Sequence, residues 1–255
     1  MPGSIFKAQL RSRVWDLLTR TGVAGLPGAH GRTPTFAGAD KAVQHLRAHV
    51  VWRDARRILV LSEPVLKLVR CAAVADDKVL VVPDLARTTG WIVEVDPAGM
   101  EPEQAVAIAG SFDAAQVELP PGVRCLYGRD TARVDLMVVG AVCVDPHGAR
   151  VGKGAGEADI VYALGRSRGF LGEETPVAVV VHDMQVCDEP GARESTDLPI
   201  DLIFTPGGWR PVQELHIRPS CLDPALVTPE RLARFPGLTG VLEREGIPPR
   251  ARPAP

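Results

Sequence analysis

Leu136–Val144 is an unbroken apolar stretch, and it runs almost directly into a segment with glycine at 148, 152, 154 and 156. A strand with one wet face alternates polar and apolar residues. This stretch does not, so it reads as a central strand covered on both sides. The glycines let backbone N–H groups approach an anion closely, and the helix-compatible residues that follow, Ile160–Arg168, add the partial positive charge of a helix N-terminus. Strand, glycine loop and helix in that order make a place to bind phosphate. Lys153 sets a point charge inside the loop, and Asp159 is placed to hold a metal ion beside the phosphates. The spacing is neither the Walker pattern nor the Rossmann fingerprint. A glycine-rich strand-to-helix turn with no ligand has the same outline.

The rest of the chain fits an alternating architecture. Lys7–Arg20 carries Leu10, Val14, Leu17 and Leu18 at helical spacing. A Gly/Pro-rich loop, Gly22–Pro34, leads to a second helix expected over Ala39–Arg53. Then come a strand (Ile58–Leu61), a helix opened by Pro64 and running to Ala75, and a strand (Val79–Val82). Trp91–Val95 reads as a strand and Glu103–Ala109 as a short helix, and Val177–Val181 and Leu202–Thr205 as two more buried strands. Helices alternating with short β-branched strands predict an α/β fold: an open, mostly parallel, doubly wound sheet with helices on both faces. We expect one domain over 1–221, then a peripheral helix around Pro229–Arg234 and a loose Pro-rich tail over 222–255. In such sheets ligands sit beyond the carboxyl ends of the strands. Three chemically unusual segments fall there: the glycine loop, His182–Gln185 and Thr205-Pro206.

Several functions are disfavoured. With 29 basic and 31 acidic residues the chain is nearly neutral and has no basic block, which gives nucleic-acid binding little support. No apolar run reaches bilayer length, so no membrane partner is expected. The first residues lack the apolar core of a secretory signal, so the expected compartment is the cytoplasm. The five cysteines are scattered singly, without a CxxC pair, which speaks against structural zinc and against a disulfide framework.

The segments from Gly148 to Tyr162 resemble a family pattern, G-x-R-x-G-K-G-x-G-x-x-D-x-E-Y. It is met by Gly148, Arg150, Gly152, Lys153, Gly154, Gly156, Asp159 and Tyr162, with Val161 in place of the Glu. Lys7, Arg11 and Trp15 match an N-terminal K-x-x-x-R helix with a Trp, His30–Ala39 matches HGRIPNFxGA with Thr35 for Asn, and Val181–Val186 and Asp197–Pro206 match two further segments. The N-P-D-x-P-Q segment is replaced by Ser62–Lys67, with Arg70 intact. On these motifs the chain resembles the 5-formyltetrahydrofolate cyclo-ligase (methenyltetrahydrofolate synthetase) family, most of all the divergent branch of methenyltetrahydrofolate synthetase domain-containing proteins.

The resemblance implies an ATP- and magnesium-dependent closure of 5-formyltetrahydrofolate to 5,10-methenyltetrahydrofolate. The formyl oxygen takes the terminal phosphate, and a neighbouring amine then displaces it. It casts Lys153 and Arg150 as contacts of the transferring phosphate, Lys7, Arg11, Gly152, Gly154 and Gly156 as the nucleotide site, and Asp159 as the magnesium ligand. Phe36, Arg70 and Gln185 are cast as contacts of the second substrate; Trp15 and Trp52 are further candidates for stacking on its flat ring, and His182 for proton transfer as the amine closes on the carbon. Each has a bland alternative: a solvated lysine, a core aromatic, a cap. Two other functions stay open, a cyclodehydratase acting on a different amide or formamide, and a non-catalytic nucleotide- or folate-binding module. The expected partner is a small molecule, and the expected state a monomer or homodimer.

Overall fold

In the computed structural model the described residues are 2–88, 90–111, 121–128, 130–188, 193–212 and 217–245. Helices α1 (Pro2–Arg20), α2 (Ala39–Ala48) and α3 (Val50–Asp54) precede β1 (Arg57–Val60), α4 (Lys67–Ala75), β2 (Val79–Pro83) and β3 (Ile92–Val95). Next come α5 (Pro102–Gly110), β4 (Val123–Leu126), β5 (Leu136–Val139), β6 (Cys143–Val144), β7 (Arg150–Val151) and α6 (Glu157–Arg168). The series ends with β8 (Val177–Val180), β9 (Leu202–Thr205), β10 (Gly208–Pro211), α7 (Pro229–Arg234) and α8 (Pro236–Glu245).

The main sheet has the order β10-β9-β8-β5-β1-β2-β3-β4. From β9 to β2 neighbouring strands are parallel, and antiparallel strands are added at both edges. Every residue of β5 and β8 is buried, as a strand covered on two faces requires. From β1 the chain moves outward to β2 through α4. It later returns to the other side of β1 as β5 and moves outward to β8 through α6. Right-handed crossovers running in opposite directions put α4 and α6 on opposite faces, so the sheet is doubly wound as expected. The carboxyl ends of β1 and β5 diverge at this switch point and leave a crevice between them.

Three local expectations are corrected. The apolar run Leu136–Val144 is not one strand: it breaks after Val139, and β6 turns away to pair with β7 in a separate ribbon. The break falls at Gly140, where an added Cβ would lie 2.6 Å from Thr33 and 2.9 Å from Glu63 Oε2. The helix expected over Ala39–Arg53 is interrupted at His49, which adopts an extended backbone and accepts a hydrogen bond on its ring nitrogen from Val51 N–H, capping α3. The segment after 221 is also more than a peripheral helix. Leu222, Leu226, Val227, Phe235, Leu238, Val241 and Leu242 are buried in the same core as the sheet. The closing residues 246–255, with the Pro-rich end, lie outside the described residues. Strands β4 and β10, both at sheet edges, were not expected from the sequence.

Candidate functional site

The glycine loop leaves β7 and is clipped down twice at its start. Arg150 is buried, and its Nε donates to the carbonyl of Gly140 at 2.8 Å, tying the loop to the point where the apolar run breaks. From α1, Arg11 Nε donates to Gly152 O at 2.7 Å. Gly154 and Gly156 have φ of 99° and 74°, a region that costs other residues strain. Two guanidinium groups also crowd the loop. A Cβ at Gly152 would stand 2.9 Å from the Arg150 guanidinium, and one at Gly156 would stand 2.6 Å from that of Arg231. Gly156 is the N-cap of α6 and offers no side-chain cap, so the first N–H groups of α6 face the cleft with their partial positive charge.

This cleft of about 210 Å³ is lined by interleaved bases and acids: Lys7, Arg11, Arg150, Lys153 and Arg231 against Glu63, Glu157, Asp159, Glu194 and Asp197. Lys153 Nζ stands 3.7 Å from Glu63 Oε1 and 3.1 Å from Glu157 Oε2. Lys7 Nζ donates to both oxygens of Asp197, at 3.0 and 2.7 Å. Burial lowers the affinity of Arg11 for its proton, and the charge of Arg150 adds to that. Burial pushes the Asp159 carboxyl up from its ordinary value. The Arg150 guanidinium, 4.0 Å away, and a hydrogen bond from Leu198 N–H at 3.1 Å pull it back. Among the described residues no group of three or more His, Cys, Asp or Glu converges on a metal position.

A second cleft, about 180 Å³, adjoins the first and shares Glu63 and Lys153 with it. Its other walls include Arg32, Thr33, Thr35 and Arg234. Glu63 follows β1 at the switch point and is 4% exposed. Its Oε1 accepts from Thr33 Oγ1 at 2.5 Å, while its Oε2 has no hydrogen-bond partner. A buried carboxylate oxygen without a donor is costly and calls for an explanation.

Eight of the residues singled out in the sequence come together in the first cleft: Lys7, Arg11, Arg150, Gly152, Lys153, Gly154, Gly156 and Asp159. The three proposed second-substrate contacts line neither cleft. Arg70 is 2% exposed and donates to the carbonyls of Leu61, Glu63 and Ala109, and burial lowers its pKa to about 10. It clamps the end of β1, and so the backbone of Glu63, in place of a ligand. Gln185 is fully buried. Its amide donates to Ala141 O and Val142 O and its oxygen accepts from His182 N–H, which braces the bend between β5 and β6. Phe36 is 6% exposed and packs edge-on to His182 within the core, while its neighbours Thr33 and Thr35 face the second cleft. Trp52 is buried and donates to Asp76, and Trp15 donates to Arg32 O. The His182–Gln185 and Thr205-Pro206 segments bond to one another: Asp183 accepts from Thr205 Oγ1 and from Gly207 N–H. Sequence reading missed Glu63, Glu157 and Arg231. Glu157 had a signal, four residues after Lys153, and so had Glu63, an acid at the carboxyl end of β1. Arg231 had none.

The arrangement has known relatives. The chain is 33% identical over 244 residues to the mouse methenyltetrahydrofolate synthase domain-containing protein, covering 94% of this chain and 64% of that one. It is 34% identical over 205 residues to the bovine protein of the same name, covering 79% of this chain and 53% of that one. The chain therefore spans about half to two thirds of the length of these curated relatives. The solution structure of Aquifex aeolicus 5,10-methenyltetrahydrofolate synthetase shares the fold, with a TM-score of 0.51 at 16% identity over 85% of this chain and 95% of that one. The profile of the 5-formyltetrahydrofolate cyclo-ligase family matches residues 4–206, which take in the whole sheet as far as β9 and the glycine loop: the chain belongs to that family.

Proposed function

We propose that the protein is an ATP- and magnesium-dependent cyclo-ligase that closes 5-formyltetrahydrofolate to 5,10-methenyltetrahydrofolate. The observation that carries this reading is the position of Lys153, at the junction of two clefts and between two carboxylates, Glu63 and Glu157. A phosphoryl group passing from a nucleotide in the first cleft to an acceptor in the second has to cross that junction.

The chemistry asks for placement and charge rather than a covalent enzyme intermediate. The formyl oxygen attacks the terminal phosphate of ATP, ADP leaves, and the formyl carbon becomes an imidate-like phosphate ester. The neighbouring amine adds to that carbon, and loss of phosphate and a proton leaves the methenyl bridge. Lys7, Arg11 and the N–H groups of the glycine loop bind the phosphate chain. Lys153 gives up its carboxylate partners to the transferring phosphate. Arg150 holds the loop in shape through Gly140, and its guanidinium stands 4.0 Å from Asp159. Interleaved acids and bases suit a metal triphosphate better than a bare anion, since the bases take phosphate oxygens and the acids take the cation. Asp159 and Glu157, in the first turn of α6, are the carboxylates that would share magnesium with the phosphates. When bound, the metal neutralises charge that develops during the transfer.

The test is direct. Purified protein with ATP, magnesium and 5-formyltetrahydrofolate should generate the near-ultraviolet absorbance of the methenyl product. Nucleotide binding without that band would reject the folate and favour a different amide acceptor. No nucleotide binding by calorimetry would reject the reading altogether.

A further inference from the structure

The family match ends at residue 206, yet a residue well beyond it stands in the cleft. Arg231, on α7, reaches the glycine loop so closely that a Cβ at 156 would be 2.6 Å from its Cζ and would push the guanidinium aside. Its Nη1 donates to Leu226 O at 2.9 Å, which fixes the plane of the guanidinium. Among the described residues it has no acidic partner within ion-pair distance, whereas Lys7 and Lys153 are each held by carboxylates. An arginine presents five N–H donors, so most of the fork remains available.

The helix that carries Arg231 is firmly anchored. Thr228 caps it by accepting from Arg231 N–H at 3.3 Å. Val227 before it and Phe235 and Leu238 after it are buried in the main core. A cation held on a rigid support, beside uncapped helix amides and a lysine loop, is preorganised for a phosphate group.

We infer that Arg231 is a phosphate-binding residue of the nucleotide cleft, contributed by a C-terminal segment outside the region that defines the family. Its fork grips the phosphate chain of a nucleoside triphosphate in the cleft that Lys7 and Arg11 of α1 also line. One turn further on, Arg234 lines the second cleft, so a single short helix touches both substrates' sites. The inference rests on the reading of the first cleft as a triphosphate site.

The experiment is calorimetric titration of the full chain with magnesium and a non-hydrolysable ATP analogue, for the native protein, Arg231→Gln and Arg231→Lys, with melting curves for each. Arg231→Gln should bind about tenfold more weakly or worse, at an unchanged melting temperature. Arg231→Lys keeps the charge and loses the fork, and it should fall between the two. Native-like affinity in either variant overturns the inference and leaves the triphosphate site standing. A native protein that binds no nucleotide overturns the site reading, and the inference with it. If Arg231→Gln does not fold, the lysine variant alone decides by the same criterion.

Discussion

Lys153 does two things that substitution can separate. It balances Glu63, a carboxylate only 4% exposed, and under the proposed function it stands where the transferring phosphate passes. Lys153→Met should lower turnover by about 100-fold or more, the usual effect of removing one donor to developing charge. It should also destabilise the protein by about 1–2 kcal/mol, less than for a fully buried pair because the lysine is 23% exposed. Adding Glu63→Gln removes the orphaned charge, so the double variant should regain most of that stability while remaining inactive. Urea denaturation and initial rates on the same four proteins make the cycle, and a double variant as unstable as Lys153→Met would contradict the pairing. At this scale the sequence was readable where function rests on a local run. Arg150 to Asp159 run from β7 through the glycine loop into the first turn of α6, and their convergence follows from chain connectivity. It was unreadable for Arg70 and Gln185, because their partners are backbone carbonyls of segments that meet only in the fold. A polar side chain near a site looks the same in sequence whether it faces a ligand or a neighbouring strand.

Elements show the same limit in another form. Hydrophobic periodicity located the parallel strands and most helices, since burial on both faces leaves a run of β-branched residues. It missed the break at Gly140, where Thr33 and Glu63 crowd in from elsewhere in the chain. It missed the break at His49 as well, where a side chain caps a new helix. That cap should titrate. Burial, with Arg53 nearby, lowers the His49 pKa from the ordinary 6.5, and the ring nitrogen can accept from Val51 N–H only while unprotonated. A lowered histidine pKa means the unfolded chain binds the proton more readily. Its stabilising contribution is present above about pH 6.5 and is lost as pH falls through the folded value. His49→Asn keeps a capping acceptor without the titration, so its melting temperature should fall less than the native protein's between neutral and mildly acid pH. Parallel curves for the two proteins would exclude the mechanism. The glycine loop offers a second test among the elements. Gly156→Ala needs a Cβ at φ 74° and 2.6 Å from the Arg231 guanidinium, so it should push the guanidinium aside and weaken nucleotide binding.

For the whole molecule, the question is whether the residues after 221 are an appendage or part of one cooperative unit. Their composition argued for a tail: prolines are frequent, and the chain closes Ala251-Arg252-Pro253-Ala254-Pro255. Composition does not register where apolar residues point. Leu238 on α8 is fully buried, and Gly237 N–H donates to Leu85 O at 2.9 Å, just after β2, so α8 is seated where β2 ends. If α7 and α8 belong to the sheet's core, Leu238→Ala creates a cavity in that core and should cost about 2–5 kcal/mol. Unfolding in urea should remain a single transition with a lower midpoint and an unchanged slope, because one core unfolds as one unit. An appendage predicts something else: a separate early transition, or almost no change, with nucleotide affinity untouched. Since α7 carries Arg231 into the cleft, nucleotide affinity should be lost in that same transition and not ahead of it. Fluorescence and ligand titration measured across the same urea series distinguish the two descriptions. A two-step unfolding curve would return the C-terminal helices to the periphery and remove the rigid support on which the inferred phosphate contact depends.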